Sequence, residues 1–396
     1  VRVLIHSNAP WINSGYGVQT ALLAPRLREL GHTVAVSSIT GLQGTATKWS
    51  GIDVYPSGQL AFSPDTLLEH AAAFRADVII TCMDFRMLRP AAPNLRGIRV
   101  LAWLPVDTFP LSAEDRAVLL ESGARPVAMS RFGEFQIEHA GFASAVYAPH
   151  MVDRSVYQPP AGAAERKQLR ADAGIPDDAF VIGICAANSD QLRKGFPEQF
   201  EAFRRFAGGR PDARLLVHSV MHTSHGVHLG QLAEDMEIAD RVIFSDTYAQ
   251  VAGFMDGPTM AGWYGCCDVL SLCSYGEGFG VPLIEAQACG VPVIATAGSA
   301  MTELSVKGWR VKATPFWNHT HRAWWTRPDV ADIARCYKEA YRVMRSKMGP
   351  RRRVDAVEFA AEYDADTVVD RYWRPILDAL VAEPFEATGD QQAVES

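Results

Sequence analysis

The chain has 396 residues, of which 48% are hydrophobic and 21% charged, and its formal net charge is −7. That length fits roughly two to three domains, and that composition fits a globular protein with a large core. The acidic balance excludes non-specific binding of nucleic acid or membrane by the surface as a whole.

Taken in chain order, the first part alternates short β runs with amphipathic helices. Strands are expected at 1–6, 33–38, 77–82, 99–103 and 126–129, and helices at 18–30, 64–74, 113–122 and 132–139. Gly31 stops the first helix. Such alternation implies a mostly parallel sheet covered by helices on both faces. The pattern breaks at Pro149-His-Met-Val-Asp-Arg-Ser-Val-Tyr-Gln-Pro-Pro160, which reads as an interdomain linker. It restarts with a helix at 163–173. Strands follow at 179–186, 214–219, 241–244, 268–272 and 292–296, with helices at 197–207, 229–237, 282–289 and 329–345. A last helical segment spans 354–382, and the polar residues beyond Glu383 read as a disordered tail.

The expected fold is therefore α/β, with two Rossmann-like domains facing a central cleft and a C-terminal helix crossing back to the first. The boundaries are 1–150 for the first domain, 151–160 for the linker, 161–360 for the second domain, 361–383 for the last helix and 384–396 for the tail. No apolar run approaches the roughly 20 residues that span a bilayer. The chain opens directly into a strand, with no signal peptide in view. Cys82, Cys185, Cys266, Cys267, Cys273, Cys289 and Cys336 are odd in number, lack a C-x-x-C spacing, and fit a reducing compartment. A cytoplasmic protein is expected.

The most informative stretch runs from Ser274 to Thr296. Glu277 lies in a glycine-rich loop between two strands, and Glu285 lies eight residues later on the helix after the loop. Gly276, Gly278 and Gly280 are expected to admit φ > 0 and close approach of a ligand. Pro282 suits a first helical turn. Both carboxylates then stand at the carboxyl end of a parallel sheet, where ligands of open α/β folds bind.

In the loop Ala186-Ala-Asn-Ser-Asp-Gln-Leu-Arg-Lys-Gly195, Arg193 and Lys194 bring two cations to that same end. A guanidinium that chelates oxygens beside an ammonium that acts as a point charge suits a diphosphate. The loop Ser7–Thr20 carries Gly15, Tyr16 and Gly17 at a helix N-terminus, which offers N–H groups to an anion. It lacks the third glycine of a dinucleotide fingerprint, and this disfavours a nicotinamide enzyme. Asp107, past a strand end, either orients a sugar or acceptor hydroxyl or caps the helix that begins near Ser112. Asp84 has a weaker claim to the same role. His218, His222, His225 and His228 lack acidic or thiol partners at ligand spacing, so no metal is expected there. Trp317, Trp324 and Trp325 form an aromatic insertion that either stacks on a ligand or locks a loop onto its own domain.

These residues resemble the family 4 retaining glycosyltransferases of group 1, which have the GT-B fold. Glu277 and Glu285 are similar to that family's paired glutamates, and Glu303 to the acid that follows a Gly-Gly turn there. Arg193-Lys194-Gly195 resembles its phosphate-binding loop, Pro149-His-Met-Val-Asp153 its hinge, and Gly15-Tyr-Gly17 its N-terminal loop. The Tyr275–Glu285 block and the tryptophan insertion also resemble transferases of phage-like origin.

The resemblance implies a hexosyltransferase that moves a hexose from a UDP- or GDP-sugar, with retention, to a hydroxyl of a glycan, lipid, protein or modified DNA base. Neither metal nor cofactor is required, and nucleic acid enters only as an acceptor. Glu277, Arg193, Lys194 and Asp107 are implied in catalysis. Glu285, Phe279, Gly280, Val281, Asn188, Asp246 and Tyr248 are implied in donor binding. The acceptor is expected near Gly15, Tyr16 and Asp107. The sequence departs from the family at Asn188, where an arginine is common, at Ser299-Ala-Met301 in place of Gly-Gly, and near Ala102–Leu104, where a histidine is missing. Two other readings keep the fold: a non-catalytic nucleotide-sugar-binding protein and a sugar-nucleotide epimerase.

Overall fold

The computed structural model describes residues 1–382. The chain divides into two compact units. The first holds Val1–Pro105, Pro110–Pro149 and the chain from Asp366, and the second holds Val106–Phe109 and His150–Ala365.

The first unit carries strands β1 (Arg2–Ser7), β2 (Thr33–Ser38), β3 (Thr47–Trp49), β4 (Ile52–Tyr55), β5 (Val78–Cys82), β6 (Val100–Leu104), β7 (Arg125–Ala128) and β8 (Val146–Tyr147). Their order in the sheet is β3-β4-β2-β1-β5-β6-β7-β8, and every pairing is parallel except β3 with β4. β5 and β6 are buried along their whole length, as strands covered on both faces should be.

The second unit carries β9 (Phe180–Cys185), β10 (Ala213–His218), β11 (Val242–Phe244), β12 (Val269–Leu272), β13 (Val293–Thr296) and β14 (Trp309–Val311). Their order is β11-β10-β9-β12-β13-β14, all parallel. The helix Phe196–Ala207 turns Phe196, Phe200, Phe203 and Phe206 into the core. β9 and β12 are neighbours, so the loops that leave their carboxyl ends emerge side by side. One of those loops carries Arg193 and Lys194 and the other carries Glu277.

One expectation changes. The segment 354–382 is not one helix. It divides into a helix at Gly349–Ala360, a 3-10 turn at Ala361–Tyr363, a helix at Ala365–Val368, a π-helical turn at Val369–Trp373 and a helix at Arg374–Ala382. Val152 takes the backbone groups that a continuous helix needs: its N–H donates to Tyr363 O at 2.9 Å, and its carbonyl accepts from Ala365 N at 3.1 Å. The π-helical turn precedes Pro375, which has no N–H to continue an α-helical ladder. The expected tail 384–396 lies outside the described residues.

The tryptophan insertion is an antiparallel hairpin, β15 (Ala313–Asn318) with β16 (Ala323–Pro328). It pairs with the short segment Val106–Phe109: Phe109 N donates to Trp324 O at 3.0 Å, and Trp324 N donates to Phe109 O at 2.9 Å. That bridge explains why four residues from the midst of the first unit's sequence group with the second. Among the described residues, no helix is long and apolar enough to cross a membrane.

Candidate functional site

The Glu277 carboxylate is buried and surrounded by donors. Lys194 Nζ lies 2.5 Å from Oε1, Ser274 Oγ donates to the same oxygen at 2.6 Å, and an Arg193 guanidinium nitrogen lies 3.2 Å from Oε2. Burial pushes the carboxyl up, but Lys194 and Arg193 overrule it and hold it below the usual carboxylate range. Burial and the neighbouring Arg193 pull the Lys194 ammonium down, against Glu277, which holds it up. Three donors converging on one carboxylate favour the ionised pair.

Local folding explains the placement. The Asp190 side chain accepts from Leu192 N at 2.8 Å and Arg193 N at 2.5 Å, which turns the chain ahead of the two cations. Gly195 follows with φ +57, and a Cβ there would lie 2.5 Å from Cys273 O. Arg193 O accepts from Tyr275 N at 2.7 Å, so the two loops are stitched together.

One of the three glycines around Glu277 has the φ expected of it. Only Gly280 has a left-handed φ, +106, as N-cap of the helix Val281–Ala288. Gly276 is required by packing, since a Cβ would lie 2.7 Å from Asp107 O and 2.9 Å from Trp325 Nε1. Ser299 is a residue that sequence reasoning missed. It holds φ +47, a conformation costly for a non-glycine residue, where the resembling family has Gly-Gly. Its hydroxyl accepts from Glu277 N at 3.0 Å, and no spacing in the sequence announced that bond.

Glu285 sits in different surroundings. Tyr264 OH donates to it at 2.7 Å, and burial pushes its carboxyl up while Tyr264 and Tyr157 hold it back. Cys185, at the end of β9, feels Glu285 and Lys194 together. Burial and then Glu285 raise its thiol to about 12, while Lys194 pulls the other way. Phe279 is buried edge-on to His150 (5.4 Å) and Tyr363 (5.7 Å), and Val281 opens the helix that carries Glu285.

Asn188 is engaged internally. Its amide donates to Val220 O at 3.0 Å and Val227 O at 2.7 Å, and its oxygen accepts from Val227 N at 2.8 Å. Both amide hydrogens are thus engaged in holding the histidine-bearing loop. In that loop His228 caps the helix Leu229–Asp235, and its ring lies 4.8 Å from that of His222, tilted by 45°. Among the described residues, no three His, Cys, Asp or Glu side chains group to hold a metal ion. Asp246 caps the helix Thr247–Val251, accepting from Tyr248 N at 2.8 Å, and Tyr248 is exposed.

Asp107 does not cap the helix Ala113–Ser122, because Ser112 does, accepting from Asp115 N at 3.0 Å. Asp107 instead lies beside Gly276 in the second unit. Gly15, Tyr16 and Gly17 open the helix Gly15–Glu29 of the first unit. Ser14 Oγ already accepts from Gly17 N at 3.1 Å, and Gly17 is required by the approach of Ile12 O. Tyr16 OH donates to Asp84 at 3.1 Å, and Arg86 pairs with the other oxygen of Asp84 at 2.9 Å.

Residues 181–324 match the family described as glycosyl transferases group 1. The D-inositol 3-phosphate glycosyltransferase of Stackebrandtia nassauensis is 29% identical over 240 residues, covering 56% of this chain and 51% of that protein. The protein of the same name in Mycobacteroides abscessus is 34% identical over 148 residues, 37% of this chain and 30% of its own. The chain thus aligns with about half or less of the length of these curated relatives. Among solved structures, sucrose-phosphate synthase from Thermosynechococcus elongatus superposes with a TM-score of 0.75 at 16% identity, covering 96% of this chain and 99% of that one. Anabaena Alr3699/HepE in complex with UDP-glucose gives 0.71 at 15% identity, covering 95% and 99%. These likenesses show the GT-B fold.

Proposed function

The chain belongs, through residues 181–324, to the group 1 glycosyltransferases, and from that premise we propose that it transfers a hexose from a nucleoside diphosphate sugar to an acceptor hydroxyl with retention. The observation that carries this reading is the convergence of Lys194 and Arg193 on Glu277 at 2.5 and 3.2 Å, at the carboxyl ends of the adjacent strands β9 and β12. Among the described residues, Glu277 is the only hydrogen-bond partner of the Lys194 ammonium, which leaves two of its three hydrogens for a ligand. The complex of the structural neighbour with UDP-glucose supports a donor of that class. The relatives' name supports a polyol-like acceptor.

In this reading the diphosphate lies against Lys194 and Arg193, with Val281 N–H at the start of its helix adding a donor. Glu277 accepts from hydroxyls of the sugar, and Glu285 from the ribose. The bond from the anomeric carbon to the diphosphate oxygen breaks while the cations stabilise the charge that gathers on that oxygen. The acceptor oxygen attacks from the same face, and its proton passes to the departing phosphate oxygen. No side chain is alkylated, and the sugar keeps its configuration.

Thermal-shift and calorimetric titration with UDP, GDP and ADP identifies the base, and incubation with the matching hexose donors tests turnover. Slow donor hydrolysis or transfer is expected. Tight nucleotide binding with no consumption of any donor, across a panel of sugar and cyclitol acceptors, would replace this reading with a non-catalytic one.

A further inference from the structure

Glu277 and Glu285 stand on one loop–helix unit, yet different chemistry holds them. Two cations neutralise Glu277, whereas neutral phenols hold Glu285: Tyr264 OH donates to its Oε2 at 2.7 Å, and Tyr157 acts on the same carboxyl. Burial, more than any neighbour, keeps the proton on both phenols, so each remains a donor. A carboxylate has about four acceptor sites, so two phenols orient it and leave about two for a ligand.

The phenols are themselves fixed. Tyr264 lies in the helix Gly257–Gly265, is fully buried, and has Trp263 edge-on at 5.2 Å. Tyr157 lies just before Pro159 and Pro160, with its ring 6.2 Å from that of Tyr264. Glycines let this segment pack closely on both sides. A Cβ at Gly265 would lie 2.9 Å from Pro160 Cγ, and one at Gly290 would lie 3.3 Å from Pro159 Cγ. Gly265 ends the helix that carries Tyr264, and Gly290 follows the helix Val281–Ala288 that carries Glu285.

The position of Glu285 on its helix matters too. Val281 and Glu285 are four residues apart, so they share a face about 6 Å apart along the axis, and helical side chains lean toward the N-terminus. The proposed diphosphate meets this helix at Val281. The ribose is the next unit of the donor, within reach of a carboxylate one turn on.

We propose that Tyr264 and Tyr157 are positioning residues for the nucleotide: their phenols fix the Glu285 carboxylate to accept from the ribose hydroxyls, and so set a preference for ribose over 2′-deoxyribose. The inference rests on the glycosyltransferase reading above, in which Glu285 meets the ribose, and deepens it with residues that act through that acid. An unheld glutamate loses rotamer freedom when it binds a ligand, whereas one already ordered by two phenols does not.

Calorimetry on the whole chain tests this, with UDP, GDP and ADP each compared with its 2′-deoxy form and with inorganic diphosphate as the ribose-free control. The wild type should bind the ribo form of its preferred nucleotide about tenfold more tightly, as one hydrogen bond to a charged group predicts. Tyr264→Phe should cut that preference to about threefold or less, and Tyr157→Phe should cut it in the same direction. Diphosphate affinity should stay at the wild-type value in both variants. A merely structural role would weaken diphosphate, ribo and deoxy forms together and leave the preference intact. That pattern, or a full preference in both variants, overturns the positioning role and leaves the glycosyltransferase reading standing. A wild type that binds nucleotide without preferring ribose overturns the role by removing the contact it serves. A wild type that binds no nucleotide overturns the glycosyltransferase reading, and the role with it.

Discussion

The strand β12 is flanked by an acid on each side, and the two acids are treated differently. At the amino end, Asp268 is held by Arg166 at 2.8 Å, Arg170 at 3.0 Å and Arg353 at 3.1 Å. Those arginines also spend their hydrogens on backbone carbonyls: Arg166 on Gly265 and Cys267, Arg170 on Cys266, Asp177 and Ala179, and Arg353 on Gly290. At the carboxyl end, Glu277 is held by Lys194 and Arg193, and the Lys194 ammonium has no backbone carbonyl as partner among the described residues. Both acids are largely removed from solvent and paired, and both are held below the usual carboxylate range against the effect of burial. Burial and pairing therefore do not separate a structural ion cluster from a binding one. Spare donor capacity does.

The largest break in that comparison comes at the structural end. Asp268→Asn leaves three arginines without their countercharge, and loss of a buried partner of this kind costs about 3–5 kcal/mol. Urea denaturation should record that loss, while the folded variant keeps wild-type UDP affinity in calorimetry. A changed UDP affinity with unchanged stability would reverse the roles assigned to the two ends.

At the other end the expected effect is on function. Lys194→Ala removes a cation from the proposed leaving group and should lower donor turnover by about 100-fold, near 3 kcal/mol of transition-state stabilisation. It also strands Glu277, so stability falls as well. The double variant Lys194→Met/Glu277→Gln separates the two effects, because it removes both charges: stability should return while turnover stays lost. Turnover that returns with stability would sink the phosphate assignment.

Much of the arrangement was legible in the sequence because parallel sheets announce themselves. β6 and β9 are unbroken apolar runs, and Arg193, Lys194 and Glu277 lie in the loops that follow strand ends, where the fold exposes ligand sites. What was not legible depends on contacts between distant segments. Asn188 looked like a ligand residue by position, and only its distances to Val220 and Val227 reveal a clamp. Gly276 looked like access for a ligand, yet its missing Cβ makes room for Asp107 O and Trp325. The hairpin β15–β16 was hidden because Trp-Trp and Phe-Trp pairs give no clean alternation of apolar with polar residues, the signal by which a half-buried strand is read.

A smaller effect separates ion pairs from buried imidazoles. Burial holds His6 at about 4 and His150 at about 3, against 6.5 unperturbed. His6 Nε2 lies 3.0 Å from Phe62 O and its Nδ1 lies 2.9 Å from Ser37 Oγ, which in turn lies 2.9 Å from His70 Nδ1. The carbonyl makes Nε2 the donor, so Nδ1 accepts and the ring is neutral. Below pH 6.5 the unfolded chain binds protons that these folded rings refuse. Their contribution is therefore full above pH 6.5 and fades as pH falls toward 4, by about 2 kcal/mol for each ring at pH 5. The lowered carboxylates lose their contribution only further into acid, whereas the raised Glu285 titrates nearer this window, so the drop between pH 7 and 5 in urea denaturation is compared between the wild type and a histidine variant to isolate that ring. In His6→Asn the drop between those two pH values should shrink by about 2 kcal/mol, and an unchanged drop would place the titration elsewhere.

The smallest expected effect concerns Asn188, where position and contacts disagree. Asn188→Ala deletes three hydrogen bonds to the loop that ends at the helix Leu229–Asp235 and leaves Val220 O, Val227 O and Val227 N without these partners. Solvent reaches part of that loop, so the loss should be about 1–2 kcal/mol rather than the full sum of three buried bonds. Hydrogen exchange should quicken across 220–228 and stay slow in β9. Donor KM should change by less than about threefold, because a side chain whose amide hydrogens are both engaged has none left for a phosphate. A large rise in donor KM with unaltered exchange at 220–228 would mean that the clamp opens when donor binds, and Asn188 would then join Lys194 at the carboxyl end of the sheet as a ligand residue.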